Sequence, residues 1–370
     1  MTERVIDKVM DIADQLREQG AEAEKIGRLT DQTTKAMKTV GSIRLLQPAK
    51  YGGYEVHPRE FAETVMATAS LDPAAGWVNG VVGVHPYQLT YADPRVAEEI
   101  WGDDVDTWVA SPYAPQGVAK PVDGGYIFNG RWQFSSGTDQ CDWIILGAML
   151  GDADGKPLMP PQMLHMILPR EDYEIVEDSW NVVGLRGTGS KDIIVRDAFV
   201  PEYRTMDATE VMDGTAQRNA GMTKTLYLMP WSTMFPLGIT SAVIGIAEGA
   251  LAAHLDYQRD RVGAYGAVKD DPYVMYAVGE AAADLVQDEG QGDRPVADPG
   301  HDRHPVVAHE QAELGAVIVA EETRVGERGA VDAGIVQRPV GQPAVQAQGA
   351  GFDLQADERV EGVDRAGRGA

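Results

Sequence analysis

The most informative stretch of this sequence is Trp132-Gln133-Phe134-Ser135-Ser136-Gly137, which Cys141-Asp142-Trp143 closely follows. Aromatic residues favour strands, and a glycine lets the backbone take a positive φ where a strand breaks. The stretch therefore predicts a flat apolar surface beside small hydroxyl groups. A planar ring could stack on that surface and form hydrogen bonds with the hydroxyl groups at its edge.

Composition sets broad limits on the class of protein. The chain has 370 residues, of which 44% are hydrophobic, enough for two or three packed units. Its formal net charge of −25 argues against nucleic acid and anionic membranes as partners, because both would repel an acidic surface. The single cysteine, Cys141, excludes an internal disulfide and indicates a reducing, cytoplasmic setting. The N-terminus opens with a charged amphipathic segment, and no stretch approaches the ~18 uncharged apolar residues of a membrane span.

The pattern of apolar residues divides the chain into regions. Residues 1–104 predict an N-terminal helical domain, since apolar residues recur there every three or four positions. Residues 105–204 predict a small antiparallel β domain, because short β-rich runs alternate with turns. Residues 205–285 predict the start of a C-terminal helical domain. Its apolar stripe consists of Ile239, Val243, Ile246, Ala250, Ala253 and Tyr257.

Residues 286–370 have a different composition. They contain no Lys, Ser, Asn, Met, Cys, Tyr or Trp, and their only leucines are Leu314 and Leu354. Most of the residue types that dominate this tail have G- or C-rich codons, so we interpret it as the product of a frameshift in a GC-rich gene. A natural acidic tail of low complexity is the alternative. Either tail is predicted to be disordered, because so few apolar side chains could be buried.

Further motifs lie on both sides of the central stretch. They are Gly76-Trp77, Gly83-Val84-His85-Pro86, Ser111-Pro112-Tyr113-Ala114-Pro115, Gly184-Leu185-Arg186-Gly187-Thr188-Gly189-Ser190 and Met229-Pro230-Trp231. Together these motifs resemble the oxygenase component of two-component, reduced-flavin-dependent aromatic hydroxylases, which have the acyl-CoA dehydrogenase fold. The nearest members of this family are the 3-hydroxy-9,10-secosteroid hydroxylases, followed by the 4-hydroxyphenylacetate hydroxylases. The resemblance extends from about residue 21 to residue 285.

This resemblance implies a fold and a reaction. The fold would be α+β and acyl-CoA dehydrogenase-like, with an N-terminal helical lobe, a middle antiparallel β domain and an incomplete C-terminal helical bundle. A separate NAD(P)H:flavin reductase would supply reduced FMN or FAD. With O2, the enzyme would hydroxylate a small phenolic substrate ortho to its hydroxyl group. The family's homotetramer would form if the C-terminal lobe is intact.

The resemblance also implies the residues of the site. His85 matches a catalytic histidine that faces the substrate phenol, and a neutral imidazole there could accept the phenol proton. Ser136 matches a catalytic serine whose hydroxyl donates to the flavin near N5. The other cofactor-binding candidates are Trp77, Ser111, Phe134, Ser135 and Arg261. The last of these matches an arginine that reaches the flavin phosphate. Outside the family context, the histidine could be structural, Trp77 could be core, and Arg261 could be an exposed charge at a helix end.

The glycine-rich run at residues 184–190 superficially resembles a phosphate-binding loop. It does not fit G-x-G-x-x-G, because Asp192 stands where the third glycine would be. A strand is also expected after it, rather than the helix whose N-terminus would bind phosphate. We therefore expect no nicotinamide binding here, so another protein must reduce the flavin.

No metal site is predicted from the sequence. His301, His304 and His309 lie in the tail without ordered partners. Cys141 is expected to be a small buried apolar residue rather than a reactive thiol.

Two other interpretations remain open. The chain could be an acyl-CoA dehydrogenase, or a sulfur or nitrogen monooxygenase of the same fold. A dehydrogenase needs a carboxylate base, normally from the C-terminal lobe, whereas His85 and the Ser135-Ser136 pair favour oxygenation. Alternatively, the chain is a non-catalytic, truncated or frameshifted protein that cannot close its flavin site.

Overall fold

The structure, a computed structural model, describes residues 3–264 and 266–291, with side chains through residue 285. The last helix continues to Gln291, so the region that composition assigns to an atypical tail begins within a helix. The predicted frameshift product and its disorder otherwise lie outside the described residues, as do the three tail histidines.

The N-terminal region consists of short helices, as the spacing of its apolar residues predicts. They are α1 (Val5–Asp11), α2 (Ala13–Ile26), α3 (Asp31–Val40), α4 (Pro58–Leu71), α5 (Pro73–Gly83), α6 (His85–Leu89) and α7 (Pro94–Trp101). The apolar spacing from Val5 to Leu16 is divided at Ile12, whose backbone leaves the helical conformation. The apolar sides of both helices nevertheless face the core, where Val5, Val9, Ala13 and Leu16 are buried.

The start of α5 is well defined. Pro73 occupies its first turn, where the missing N–H is not needed. The Asp72 carboxylate accepts hydrogen bonds from the N–H groups of Ala74 and Ala75. This cap fixes the beginning of the helix that presents Trp77 and leads into His85.

The middle of the chain forms one large sheet. Its strands are β1 (Val109–Ala110), β2 (Gly117–Val122), β3 (Gly125–Ser135), β4 (Trp143–Leu150), β5 (Met163–Pro169), β6 (Glu174–Val176), β7 (Lys191–Pro201) and β8 (Thr205–Asp207). They lie in the order β6-β7-β3-β2-β4-β5-β8, with β1 beside β4.

The sheet is mixed, so the prediction of an antiparallel sheet is wrong for part of it. β2 and β3 form an antiparallel hairpin with Gly117 opposite Gly130. The chain then reverses again and enters β4 on the other edge of β2, so that Gly117 pairs with Ala148 in a parallel ladder. β1 also pairs with β4 in parallel. A sequence pattern of short strands and turns cannot distinguish this return from a simple meander.

Strand β3 contains a bulge next to its C-terminal end. Its register with β7 shifts between Trp132, which pairs with Ile193, and Ser135, which pairs with Lys191. Within the bulge, Phe134 takes a φ of 63°, in the left-handed region that an aromatic residue rarely adopts. As a result Trp132 and Ser135 are both buried, whereas the Phe134 ring is 65% exposed.

The C-terminal part of the described chain is mainly helical. It contains α8 (Ala208–Asp213), α9 (Thr215–Asn219), α10 (Trp231–Arg259) and α11 (Pro272–Gln291), with the short strands β9 (Val262–Gly263) and β10 (Gly266–Ala267) before α11. The predicted stripe on α10 is partly exposed, since Val243 is 52% and Tyr257 66% exposed.

Helix α10 crosses α5 at two glycines. A Cβ atom on Gly238 would lie 2.3 Å from the carbonyl oxygen of Gly80, and one on Gly80 would lie 2.4 Å from that of Gly238. Gly245 comes equally close to the backbone of Met66 on α4. These small residues let the helix backbones touch and hold α4 and α5 against α10.

α10 also corrects one sequence prediction. With a mean hydropathy of 1.5 over 18 residues, it is long and apolar enough to cross a membrane by length and composition. The prediction that no such stretch exists is therefore wrong. Core helices have the same composition, and the close contacts of Gly238 and Gly245 are those of a helix packed in protein.

We expect Gly238→Ala to lower the free energy of unfolding by about 1–3 kcal/mol, because its methyl group must push α5 and α10 apart. Gly279→Ala on α11 is the matched control. A Cβ atom there meets nothing within 4 Å, so the better helix former should be neutral or stabilising by up to ~1 kcal/mol. Thermal denaturation of both variants would test this. Equal melting temperatures for the two would contradict the tight crossing.

Candidate active site

The first part of the site is a hydrogen-bonded pair, His85 and Ser111. His85 begins α6, and its Nδ1 lies within hydrogen-bond distance of the Val109 carbonyl oxygen. A carbonyl only accepts, so Nδ1 carries the ring proton and Nε2 carries a lone pair. The Ser111 hydroxyl, 2.7 Å from Nε2, is therefore the donor to it. The structure thus brings together two predicted site residues that are separated by 26 positions in the chain.

Burial keeps this imidazole neutral. The His85 side chain is almost fully buried, and desolvation lowers its pKa from the ordinary 6.5 to about 4, although the bond to Val109 acts in the opposite direction. The unfolded chain binds a proton at this residue below pH 6.5, whereas the folded chain does so only near pH 4. His85 therefore contributes stability at neutral pH that is lost as the pH falls through this window.

The second part of the site is a chain of hydroxyl groups around Ser136. The Trp77 indole N–H donates to Ser136 Oγ over 3.1 Å. Ser136 Oγ lies 2.7 Å from Ser190 Oγ, which lies 2.7 Å from Thr188 Oγ1. The Thr188 hydroxyl donates to the carbonyl oxygen of Leu185 over 2.8 Å.

The last hydrogen bond of this series, from Thr188 to a carbonyl oxygen, determines which hydroxyl group donates in each of the others. Because Thr188 gives its proton to a carbonyl, Ser190 must donate to Thr188, and Ser136 must then donate to Ser190. Ser136 has one lone pair left for a ligand and no free proton. The sequence predicts a donor at this position, whereas the hydrogen bonds of the structure leave an acceptor.

The two residues before Ser136 point in different directions. The exposed Phe134 ring contacts Trp180 edge to face, with ring centroids 6.0 Å apart. Ser135 is fully buried, and within the described residues its hydroxyl has no hydrogen-bond partner. The bulge thus exposes an aromatic face beside Ser136 and turns Ser135 into the interior.

Arg261 lies apart from these groups. It follows the C-terminal end of α10, where its guanidinium stacks over the Tyr257 ring at 5.4 Å and donates to Gln258. Among the residues that the structure describes, it has no contact with His85 or Ser136. Its role as a phosphate ligand stays a prediction.

The glycine-rich loop binds a side chain of the protein itself. Arg186 and Gly187, in a short 3-10 turn, donate their backbone N–H groups to the Glu24 carboxylate on α2, at 3.1 and 2.9 Å. These amides are the ones that a phosphate would need. The structure therefore supports the prediction that this is not a phosphate loop, and it assigns the loop to the support of Ser136 through Thr188 and Ser190.

A third group of residues was not predicted from the sequence. The Tyr113 hydroxyl donates to Gln88 Oε1 over 2.6 Å, and Gln88 Nε2 lies 2.7 Å from His165 Nδ1. The Tyr113 ring also contacts both His85 and His165, with centroid distances of 5.7 and 5.0 Å. His165 could have been noticed as the one polar residue in an otherwise apolar strand, β5.

Two further features of the described residues concern metal-binding groups and Cys141. Within residues 3–264 and 266–291, no group of three or more His, Cys, Asp or Glu side chains could hold a metal ion. Cys141 is buried, as predicted, and burial raises the pKa of its thiol well above the ordinary value.

The residues around Ser136 fit a flavin ring. Phe134 offers an exposed aromatic face, and Ser136 offers a buried lone pair beside it. A planar heteroaromatic ring with an N–H group on its edge matches both features. Trp77 is half-buried behind Ser136 and supports it through the indole N–H rather than through stacking.

Comparisons with known proteins identify the family of this chain. Residues 237–287 match the family model of the acyl-CoA dehydrogenase C-terminal domain. The chain is 63% identical over 286 residues to a pigment production hydroxylase of Rhodococcus erythropolis, covering 77% of this chain and 73% of that protein. It is 40% identical to the oxygenase subunit HsaA, a flavin-dependent monooxygenase of Rhodococcus jostii, covering 73% of this chain and 70% of the subunit.

Solved structures give the same result. The crystal structure of 3-HSA hydroxylase from Rhodococcus sp. RHA1 superimposes with a TM-score of 0.72 at 37% identity, covering 78% of this chain and 74% of that one. The resemblance stated from the sequence and the expected fold class are thereby confirmed. The chain belongs to the flavin-dependent monooxygenases, as an oxygenase component with the acyl-CoA dehydrogenase fold.

Proposed function

We propose that this protein hydroxylates a phenolic substrate ortho to its hydroxyl group, using O2 and reduced FMN or FAD. The observation that carries this proposal is the pair of buried His85 and half-buried Ser111, a neutral base joined to a hydroxyl group. The names of relatives support the substrate class, since one is the oxygenase component of a p-hydroxyphenylacetate 3-hydroxylase and another that of a resorcinol hydroxylase.

The flavin would lie against Phe134 and Ser136. When bound, reduced flavin supplies the electrons that activate O2 for transfer of one oxygen atom to the substrate. Phe134 would contact the ring face, and the lone pair of Ser136 would accept a hydrogen bond from the N5–H group that only the reduced ring carries. Trp77 and Ser190 hold Ser136 in the orientation that this bond requires.

The phenol would be engaged through Ser111 rather than by His85 directly. A phenol with a pKa near ~10 is a weak nucleophile until its proton is engaged. In the structure, the Ser111 hydroxyl donates to His85 Nε2, so its oxygen still has lone pairs for the phenol proton. A proton that moves from the phenol to Ser111 and from Ser111 to His85 would leave the ring activated for oxygen transfer.

The remaining assignments follow from the family and the composition. A separate NAD(P)H:flavin reductase would supply the flavin, because relatives carry the name of an oxygenase component or subunit. We place the protein in the cytoplasm, since its single cysteine is a buried free thiol. We also infer a homotetramer if the C-terminal lobe is complete. An acyl-CoA dehydrogenase is disfavoured because the similar proteins are hydroxylases and flavin-dependent monooxygenases.

Reconstitution tests the proposed function. With NADH, an added flavin reductase, FMN and a simple phenol, we expect an ortho-hydroxylated product that contains one atom of 18O from labelled O2. Without the reductase, the purified protein should not oxidise NADH. Rapid NADH consumption by this chain alone would contradict a two-component system. Failure to bind either reduced flavin in a titration would identify a non-catalytic protein.

The proton relay predicts that His85→Ala slows hydroxylation by about two orders of magnitude, the usual scale for losing a proton acceptor. Ser111→Ala should cause a loss in the same direction, because it interrupts the same path. His254→Ala, which removes an exposed histidine on α10, is the matched control and should leave the rate unchanged. Single-turnover hydroxylation measures this. A wild-type rate in His85→Ala would reduce that residue to a structural role.

The hydroxyl chain predicts that Ser136→Ala leaves substrate binding intact but increases the fraction of NADH electrons that end in hydrogen peroxide. Ser190→Ala should have a smaller effect of the same sign, because it frees the Ser136 proton without removing the oxygen. Ser190→Thr keeps a hydroxyl group and should restore coupling. Peroxide and product are measured together. Full coupling in Ser136→Ala would exclude its contact with the flavin.

A further inference from the structure

An apolar cavity of about 430 Å³ lies beside the Ser111 loop. Its walls come from the loop, strands β4 and β5, and helices α8 and α10, and the side chains used below are Tyr113, Met163, His165, Met212, Trp231 and Phe235. None of the described residues that line it is charged. An apolar ligand would therefore be favoured in this cavity, and an ion would lose its hydration without gaining a counter-charge.

The cavity adjoins the proposed reaction site. The Tyr113 ring lies in its wall, and the edge of the same ring packs against His85 with a centroid distance of 5.7 Å. Tyr113 is two residues from Ser111. Gly147 lets this loop pass directly over β4, because a Cβ atom there would lie 2.1 Å from the Tyr113 carbonyl oxygen. When a phenolic substrate binds with its hydroxyl group at Ser111, the rest of the molecule would thus reach the cavity.

His165 is a buried polar side chain in the wall of this cavity, and the position of its ring proton follows from its neighbours. The buried Tyr113 hydroxyl keeps its proton, since burial raises its pKa, and that proton needs an acceptor. Gln88 Oε1 is that acceptor, which directs the Gln88 amino group to His165 Nδ1. Nδ1 therefore accepts, and the ring proton lies on Nε2.

The Nε2–H group of His165 is available to a ligand. His165 is only 6% exposed, and burial lowers its pKa to about 4, so the ring is neutral at pH 7. Among the described residues, no group accepts a hydrogen bond from Nε2. His165 is thus the buried neutral donor of a wall that also contains Met163, Trp231 and Phe235, whereas the Thr209 hydroxyl lies on an exposed residue at its edge.

We propose that this cavity binds the distal end of the substrate. This end is an apolar body with a neutral hydrogen-bond acceptor, such as a ketone or ether oxygen, which accepts a hydrogen bond from His165 Nε2. The inference rests on the proposed function, which places the phenol at Ser111. It narrows the class of phenolic substrate to those with a neutral distal end, because a carboxylate there would meet no cation among the described residues that line the cavity. His165 is then a specificity residue, and Gln88 and Tyr113 position its proton.

Three phenols that share one apolar body test the inference. One ends in a ketone, one in a methylene group and one in a carboxylate. For the wild-type chain, we expect the ketone to bind most tightly and the carboxylate most weakly, measured by calorimetry and by quenching of tryptophan fluorescence. His165→Leu should weaken binding of the ketone about five- to tenfold and change binding of the methylene analogue less than twofold. His165→Gln, which keeps an N–H donor, should retain most of the preference.

Met212→Leu is the matched control, because it changes the same cavity wall without removing a donor. It should affect the ketone and the methylene analogue equally. Equal losses for the two ligands in His165→Leu, or a carboxylate that binds the wild-type chain as tightly as the ketone, would overturn the inference. If the wild-type chain hydroxylates the phenols while these results occur, the proposed function survives and only the role of His165 fails. If it binds none of the three, both fail.

Discussion

The left-handed backbone at Phe134 is the constraint on which the rest of the site depends. An aromatic residue in this conformation costs on the order of 1–3 kcal/mol, so the surrounding structure must enforce it. The enforcement comes from both sides of the bulge: Trp132 is locked in the core by the bond from its indole N–H to Gly147, and the Gly137 N–H donates to Thr188. Without the bulge, the period-2 alternation of the strand would place Phe134 inside with Trp132 and turn Ser135 to the opposite face. The strained bulge therefore exposes the Phe134 ring beside Ser136, which is buried and held in one orientation.

Hydrogen-bond direction, rather than charge, organises the chemistry of the described site. His85 and His165 are both kept neutral by burial, and in each ring a neighbour determines which nitrogen carries the proton. The two rings have opposite roles: His85 Nε2 accepts a hydrogen bond from Ser111, whereas His165 Nε2 is proposed to donate one to a ligand. Both rings are therefore neutral hydrogen-bonding groups, although the whole chain has a formal net charge of −25.

Close helix packing connects the two halves of this arrangement. Trp77 lies on α5 and His85 follows directly after that helix, so the position of α5 sets the distance between the hydroxyl chain and the histidine relay. α5 is held against α10 where Gly80 and Gly238 touch. The N-terminal end of α10 supplies Trp231, which contacts Tyr113 in the cavity wall. One helix crossing therefore supports both the proposed flavin side and the proposed substrate side of the site.

Strand breaks, aromatic runs and glycines are local signals, so the sequence by itself predicted the order of helical and β-rich regions. The motifs in these regions resemble one family, and this resemblance implied the fold class and the residues of the site. His85, Ser111, Trp77 and Ser136 could be nominated in this way. What only the tertiary structure decided is how the protons are placed and which residues support them. Ser190, Gln88 and His165 act through partners that are 54 and 77 positions away in the chain, so no local pattern marks them. The parallel entry of β4 and the close packing of α10 were missed for the same reason. Both features depend on which surfaces meet after folding. The spacing of apolar residues shows that one face of a helix or strand is buried, but it does not show which other element covers that face.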